Sequence, residues 1–88
     1  MTRIAFSSSF KRAFRKRTRK DAEFETKFWH RVESFLADPF NPVLRAHKLS
    51  GNLKDLWSFS IDSDLRVIFY FEGDLAVFID LGTHDEVY

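Results

Sequence analysis

The feature that most constrains the fold is a pair of long apolar runs, at 65–71 and 75–81, rich in β-branched and aromatic residues. Only Glu72-Gly73-Asp74 separates them, which is a three-residue signal for a β-hairpin. A shorter run precedes them at 57–61, where apolar residues alternate with serines and are followed by turn residues at 62–64. The second half of the chain is therefore predicted to form an antiparallel meander.

The first half of the chain has a helical period instead. A short apolar stretch at 3–6 predicts an edge strand, and the serines at 7–9 are candidates for a helix N-cap. The pattern restarts at Asp21 for a second helix, which ends at Asp38-Pro39. The apolar faces are formed by Phe10, Ala13, Phe14 and the stem of Arg17 in the first helix, and by Phe24, Phe28, Val32, Phe35 and Leu36 in the second. Two antiparallel helices are therefore expected.

The order of these elements predicts an α+β fold. We expect two N-terminal antiparallel helices packed on one face of a small twisted, mainly antiparallel sheet, with the opposite face open for function. A length of 88 residues suits a single domain, spanning 1–88. The stretch 44–49 has no clear period and receives no assignment.

The composition excludes several classes of site. The chain has no Cys, which removes disulfide scaffolds, thiol catalysis and the common structural zinc sites. Its three dispersed histidines lack an H-x-x-x-H spacing, so no metal and no cofactor is expected, and neither a glycine-rich phosphate loop nor G-x-S-x-G is present. No apolar run approaches the roughly 20 residues that span a bilayer, and none of signal-peptide length begins the chain. We expect a soluble cytoplasmic protein without membrane contacts.

Charge is distributed unevenly, although the formal net charge is only +1. The first helix carries a dense set of cations, whereas the strands and the C-terminus are acidic. Such a helix is a candidate phosphate-binding surface, because each Lys or Arg that neutralises a phosphate releases counterions. A merely solvated helix face is the alternative. The residues predicted to bind RNA are Lys11, Arg12, Arg15, Lys16, Arg19 and Lys20, together with Lys48.

Two residues near the end of the chain are candidates for chemistry. Arg66 is a charge within an apolar strand, so it must reach solvent, pair or bind an anion. Alternation places it on the open face with Asp64, whose carboxylate is expected to orient the guanidinium by a bidentate bond. His84 follows the last strand, and its approach to the same sheet edge depends on the hairpin register. A purely structural ion pair and an exposed terminal histidine are the alternatives.

The remaining side chains suit metal-free cleavage of RNA. The inventory left by these exclusions consists of His, Arg, Asp, Tyr and Lys. In transfer to the 2′-hydroxyl, a base removes the 2′ proton, cations stabilise the phosphorane and an acid protonates the leaving 5′ oxygen. Side chains of these types supply all three functions.

Four segments of the second half carry a resemblance to a known family. They are His47-Lys48-Leu49-Ser50-Gly51-Asn52-Leu53-Lys54, Leu56-Trp57-Ser58-Phe59-Ser60, Asp64-Leu65-Arg66-Val67-Ile68-Phe69-Tyr70 and Ile79-Asp80-Leu81-Gly82-Thr83-His84-Asp85-Glu86-Val87-Tyr88. These segments resemble the RelE/ParE superfamily of type II toxins, in particular its RelE/StbE and YafQ-like branch. The resemblance is continuous over about 38–88 and weaker in the helical half.

The resemblance implies an activity and partners. Members of this branch are ribosome-dependent endoribonucleases that cut mRNA in the ribosomal A site, and a cognate antitoxin inhibits them. The resemblance therefore implies a RelE-like fold and contacts with mRNA and ribosomal RNA. It also implies a complex with a cognate antitoxin, for which a toxin-antitoxin heterotetramer is one assembly. The basic helix would approach ribosomal RNA. The same face, or the apolar groove beside the helices, would hold an acidic antitoxin segment that folds on binding.

The resemblance also implies catalytic residues. The family pattern places the leading proton-transfer group on His84 and the phosphorane stabiliser on Arg66. It places assisting acid or base groups on His47 and Asp64, and a base-stacking or base-orienting aromatic ring on Tyr88.

Two departures from the family pattern keep other functions open. Ser60 stands where the family has a further histidine, and Asp80 stands where it has a functional arginine. A module that binds RNA or antitoxin without catalysis is one alternative that they support. A ParE-like inhibitor of DNA gyrase without nuclease activity is a separate alternative, against which the set of His47, Arg66 and His84 argues.

Overall fold

The computed structural model describes residues 2–49 and 55–87. None of the helices in these ranges is long and apolar enough to cross a membrane. The elements follow one another as β1 (Arg3–Phe6), α1 (Ser8–Lys20), α2 (Ala22–Ala37), a 3-10 turn (Pro42–Leu44), β2 (His47–Lys48), β3 (Trp57–Ser60), β4 (Leu65–Glu72), β5 (Leu75–Thr83) and α3 (His84–Val87).

The five described strands form one sheet in the order β1-β5-β4-β3-β2. The edge strand β1 pairs with β5 in parallel, and the other pairs are antiparallel. The predicted α+β fold with a mainly antiparallel sheet is therefore confirmed. The unassigned stretch 44–49 contains β2, whose two residues pair with β3 at the second edge. A strand this short leaves no periodic signal in a sequence.

The helices α1 and α2 begin at polar caps, and the predicted serine cap of α1 is confirmed. The Ser7 hydroxyl accepts a hydrogen bond from the Phe10 N–H, and the Asp21 carboxylate accepts one from the Glu23 N–H. Ring contacts between Phe10 and Phe28 and between Phe14 and Phe24 show that the two helices run antiparallel. The prediction of the apolar face of α2 is wrong for one residue, because the side chain of Leu36 is exposed.

The core is built mainly from phenylalanine. Phe78 of β5 lies at its centre, where its ring contacts Phe35 of α2, Phe59 of β3 and Phe69 of β4. Burying large aromatic side chains from both layers is the main driving force for packing the helices on the sheet. The fully buried rings are Phe24, Phe28, Phe35, Phe59, Phe69 and Phe78.

The β4–β5 hairpin differs in detail from the prediction. Glu72 pairs directly with Leu75, so the loop has only Gly73 and Asp74 and the predicted three-residue loop is wrong. Gly73 has a φ of 63°, a conformation that costs glycine little. A β-bulge between Ile68 and Phe69 then shifts the pairing of the two strands. Beyond the bulge, Arg66 of β4 is opposite Gly82 of β5, and Leu65 is opposite Thr83.

Candidate active site

The strand register brings polar side chains of three strands together on the face away from α1 and α2. His47 of β2 is opposite Ser58 of β3, and Ser60 of β3 is opposite Arg66 of β4. On its other side Arg66 is opposite Gly82 of β5. Because Arg66 is flanked by core residues of β4, alternation directs it to this face, as the sequence predicted.

Arg66 is held in place by groups across the ladder. Its Nε donates to the Ser58 hydroxyl at 2.7 Å, and its Nη2 lies 3.4 Å from the Arg45 carbonyl oxygen and 3.3 Å from Nδ1 of His47. Ser58 is fully buried, so this short charge-assisted bond fixes the inner edge of the guanidinium.

The expected bidentate pair between Asp64 and Arg66 is wrong. Within the described residues, the Asp64 carboxylate makes no hydrogen bond or ion pair, and the residue is exposed. The turn is organised by Asp62, whose carboxylate accepts hydrogen bonds from the N–H groups of Asp64 and Leu65. The long Arg66 side chain reaches diagonally to Ser58 on the neighbouring strand instead of along its own strand.

Arg45 has a conformation unusual for a residue with a side chain. It ends the 3-10 turn in the left-handed region, with φ 52° and ψ 42°. This conformation presents its carbonyl oxygen to both Nη2 of Arg66 and Nδ1 of His47, the latter at 3.2 Å. When Nδ1 of His47 carries the proton and donates to this carbonyl, Nε2 has a free lone pair and can act as a base.

His84 and Asp64 lie at one end of the sheet. Leu65 and Thr83 form the last pair of the β4–β5 ladder, so Asp64 directly precedes this pair and His84 directly follows it. Arg66 and its ladder partner Gly82 form the next pair of the same ladder. The His84 side chain is 70% exposed and can be reached by a large substrate, with Nδ1 3.7 Å from the Asp85 carboxylate. Tyr88, the predicted base-stacking residue, lies outside the described residues.

The C-terminal turn, which consists of α3 (His84–Val87) and is called the tail below, packs against the sheet, as expected from the sequence. Glu86 of α3 accepts hydrogen bonds through Oε1 from the Thr83 N–H and from Nη2 of Arg17, both at 2.7 Å. The bond from Thr83, helped by the Arg17 guanidinium, lowers the pKa of Glu86 below its ordinary value. Arg17, whose stem was predicted to belong to the apolar face of α1, therefore also forms an ion pair that connects α1 to the tail.

The cations predicted to bind RNA are exposed, and those of α1 extend from one flank of the helix to the other. Lys11 and Arg15 line an aromatic groove of about 190 Å³, whereas Lys16 and Lys20 line a polar cleft beside the tail. Lys48 extends its ammonium group over the Trp57 ring at 5.7 Å from the centroid, away from His47. Within the part of the chain that the structure describes, no ion pair involves the helix cations Lys11, Arg12, Arg15, Lys16, Arg19 and Lys20.

The site contains residues that the sequence did not single out. Ser58 and Arg45 position Arg66, and Glu86 positions the tail. The available signal for Ser58 was the alternation of serines with apolar residues at 57–61, which places Ser58 on the face of the sheet away from the core. Ser60 differs from Ser58, because no described residue hydrogen bonds to its buried hydroxyl oxygen.

The arrangement can support proton transfer around a fixed cation. Arg66 offers a positive charge between His47 on one side and the strand end that leads to His84 on the other. A phosphate at Arg66 would therefore have the His47 imidazole within reach. Among residues 2–49 and 55–87, no group of three or more His, Asp or Glu side chains is placed to hold a metal ion.

A sequence comparison identifies the family. Residues 2–88 match the model of a family described as "Bacterial toxin of type II toxin-antitoxin system, YafQ". No functionally curated protein matches the sequence.

Solved toxin structures share the fold. YafQ from E. coli strain BL21(DE3) is 19% identical with a TM-score of 0.81, over 100% of this chain and 99% of that chain. The E. coli DinJ-YafQ toxin-antitoxin complex contains a chain with 22% identity and a TM-score of 0.79, again over 100% and 99%. The YoeB/ParE toxin from Agrobacterium tumefaciens is 19% identical with a TM-score of 0.80, over 94% and 99%.

Proposed function

Since the chain belongs to the YafQ family of toxins from bacterial type II toxin-antitoxin systems, we propose that it is a ribosome-dependent endoribonuclease that cleaves mRNA. The observation that carries the proposal is the placement of Arg66. Its guanidinium is anchored on the open face by Ser58, next to His47, in a strand register that leads to His84. A toxin that acts only by binding another protein has no need of this arrangement.

Cleavage would follow transfer to the 2′-hydroxyl. One imidazole removes the 2′ proton, the 2′ oxygen attacks phosphorus, and the bond to the 5′ oxygen breaks as a second group donates a proton to it. The products are a 2′,3′-cyclic phosphate and a free 5′-hydroxyl. Arg66 would stabilise the phosphorane, His84 would be the leading proton-transfer group, and His47 would assist through Nε2.

Asp64 and Tyr88 keep supporting roles in the proposal. The exposed Asp64 carboxylate lies at the same sheet end as His84, where it can assist proton transfer without first breaking a hydrogen bond to a described residue. Tyr88 would stack on or orient a base. The proposed catalytic set is therefore His84, Arg66, His47, Asp64 and Tyr88.

The substrate would be presented by the ribosome in the cytoplasm. Exposed cations of α1 can bind ribosomal RNA phosphates, and Lys16 and Lys20 lie on the flank of the helix next to the tail. Arg12 and Arg19 add charge to the exposed surface. Lys48 contributes from β2, on the side of the sheet that faces the helices.

A cognate antitoxin would bind the aromatic groove between β1, α1 and α2. Its walls are aromatic, and the side chain of Trp29 is 44% exposed there. Lys11 and Arg15 at the groove favour an acidic segment with apolar anchors. Phe10 and Phe28 line the groove but are buried, so their ring faces are not accessible for stacking with RNA bases.

Induction of the toxin followed by transcriptome-wide mapping of RNA 5′ ends tests the proposal. We expect new 5′ ends phased with translated codons, and their loss in the folded variant His84→Ala. Full toxicity of His84→Ala would remove His84 from the proposed role. DNA breaks with intact mRNA would replace the nuclease by a gyrase inhibitor, and neither signal would indicate a binding module without catalysis.

A further inference from the structure

We propose that Glu86 is a positioning residue that holds the turn carrying His84 against the end of the sheet and against the basic helix α1. The proposal rests on the proposed function, because Glu86 would act on cleavage only through His84. The carboxylate itself points to α1 and to the backbone of Thr83, so it has no direct part in the chemistry.

One carboxylate oxygen of Glu86 makes both contacts. Oε1 accepts from the Thr83 N–H, which closes the turn on the last residue of β5, and from Nη2 of Arg17, which ties the turn to α1. Arg17 is the less exposed partner, with 22% of its side chain accessible against 52% for Glu86. The backbone of His84 lies between Thr83 and Glu86 and is therefore held from both sides.

Close packing at Gly82 makes the position of this turn precise. A Cβ atom on Gly82 would lie 3.0 Å from both Cβ and Oε1 of Glu86, and 3.2 Å from Cγ1 of Val87. The turn therefore folds directly over a strand residue that has no side chain. Gly82 is also the ladder partner of Arg66. The same glycine therefore pairs with the strand residue that carries the guanidinium and packs against the turn that carries His84.

The role of Glu86 is tested with a matched pair of variants. Glu86→Ala removes the two hydrogen bonds that Oε1 accepts from Thr83 and Arg17. Asp74→Ala removes an exposed ion pair with Arg3 at the opposite end of β5. The first readout is the heteronuclear NOE of the backbone amides at 84–87. The second is kcat and KM for mRNA cleavage on programmed ribosomes.

We expect Glu86→Ala to lower the heteronuclear NOE of the tail and to reduce kcat by on the order of 10–100-fold, because a displacement of about 1 Å is enough for such a loss. KM should not rise, since removing an acidic group makes the surface more cationic and favours RNA binding. Asp74→Ala should leave the tail NOE and kcat unchanged. Glu86→Gln keeps the acceptor for Thr83 and should restore part of kcat.

Several results would overturn the proposal. An unchanged tail NOE in Glu86→Ala would show that Glu86 does not hold the tail in place. A mobile tail with kcat within about twofold of wild type would show that the position of the tail does not affect cleavage. If Glu86→Ala fails to fold, Arg17→Met and Glu86→Gln take its place in the same assays. Full cleavage by His84→Ala would overturn the proposed function of His84, whereas inactive His84→Ala with fully active Glu86→Ala would overturn only the positioning role.

Discussion

Ser58 and Ser60 provide a sharp test of how the site holds Arg66. Both serines belong to β3, face away from the helices and are buried, but only the Ser58 hydroxyl accepts a described hydrogen bond from the guanidinium, at 2.7 Å. Ser58→Ala and Ser60→Ala therefore delete the same atom from neighbouring positions of one strand. We expect opposite effects on stability and a loss of cleavage only for Ser58→Ala.

The sizes of the effects follow from the contacts. A hydrogen bond to a charged group contributes about 1.5–3 kcal/mol, so Ser58→Ala should lower the free energy of unfolding by about 2 kcal/mol. In a domain of 88 residues, this lowers Tm by about 8–16 °C, at about 4–8 °C for each kcal/mol. Among the described contacts of the guanidinium, those of Nη2, at 3.4 and 3.3 Å, are longer and weaker than the bond to Ser58. A shift of about 1 Å would reduce kcat by on the order of 100-fold.

Ser60→Ala removes a buried hydroxyl that no described residue satisfies. Its removal should leave Tm unchanged or raise it by a few degrees, because a buried polar group without a partner destabilises the fold by about 1–3 kcal/mol. Thermal unfolding and single-turnover cleavage on programmed ribosomes measure the two consequences. Equal losses of Tm and kcat in the two variants would refute the anchoring role of Ser58.

Three further predictions concern the core, the groove and the tail. Phe78→Ala should destabilise the protein by about 3–5 kcal/mol in chemical denaturation, because it empties the centre of the aromatic core; a loss below about 1 kcal/mol would contradict the packing described. Trp29→Ala should weaken antitoxin binding by about 30-fold in calorimetry, whereas Phe40→Ala, which removes an exposed aromatic ring outside the groove, should not. The pKa of Glu86 is lowered by folding from its ordinary value of 4.5, so its contribution to stability is present above that pH and is lost as the pH falls through the folded-state value. Unfolding of wild type and Glu86→Gln should therefore differ at neutral pH and converge in acid, and a constant difference would contradict the assignment.

Much of the fold could be predicted from the sequence because its signals are local. Helical spacing of Phe24, Phe28 and Phe35, caps at Ser7 and Asp21, and a glycine between two β-rich runs each depend on nearby residues only. The α+β fold follows from the order of these signals. The family resemblance was likewise readable, because it lies in short motifs such as Gly82-Thr83-His84.

The tertiary structure alone decided which side chains meet. The partner of Arg66 was expected to be Asp64, two residues away on the chain, but it is Ser58 on the neighbouring strand, a pairing that depends on register and on the buried environment of the serine. The same holds for Glu86, whose partner Arg17 is 69 positions away. Sequence patterns record which face a residue occupies, whereas contacts between distant segments depend on how the whole chain packs, and those contacts define this site.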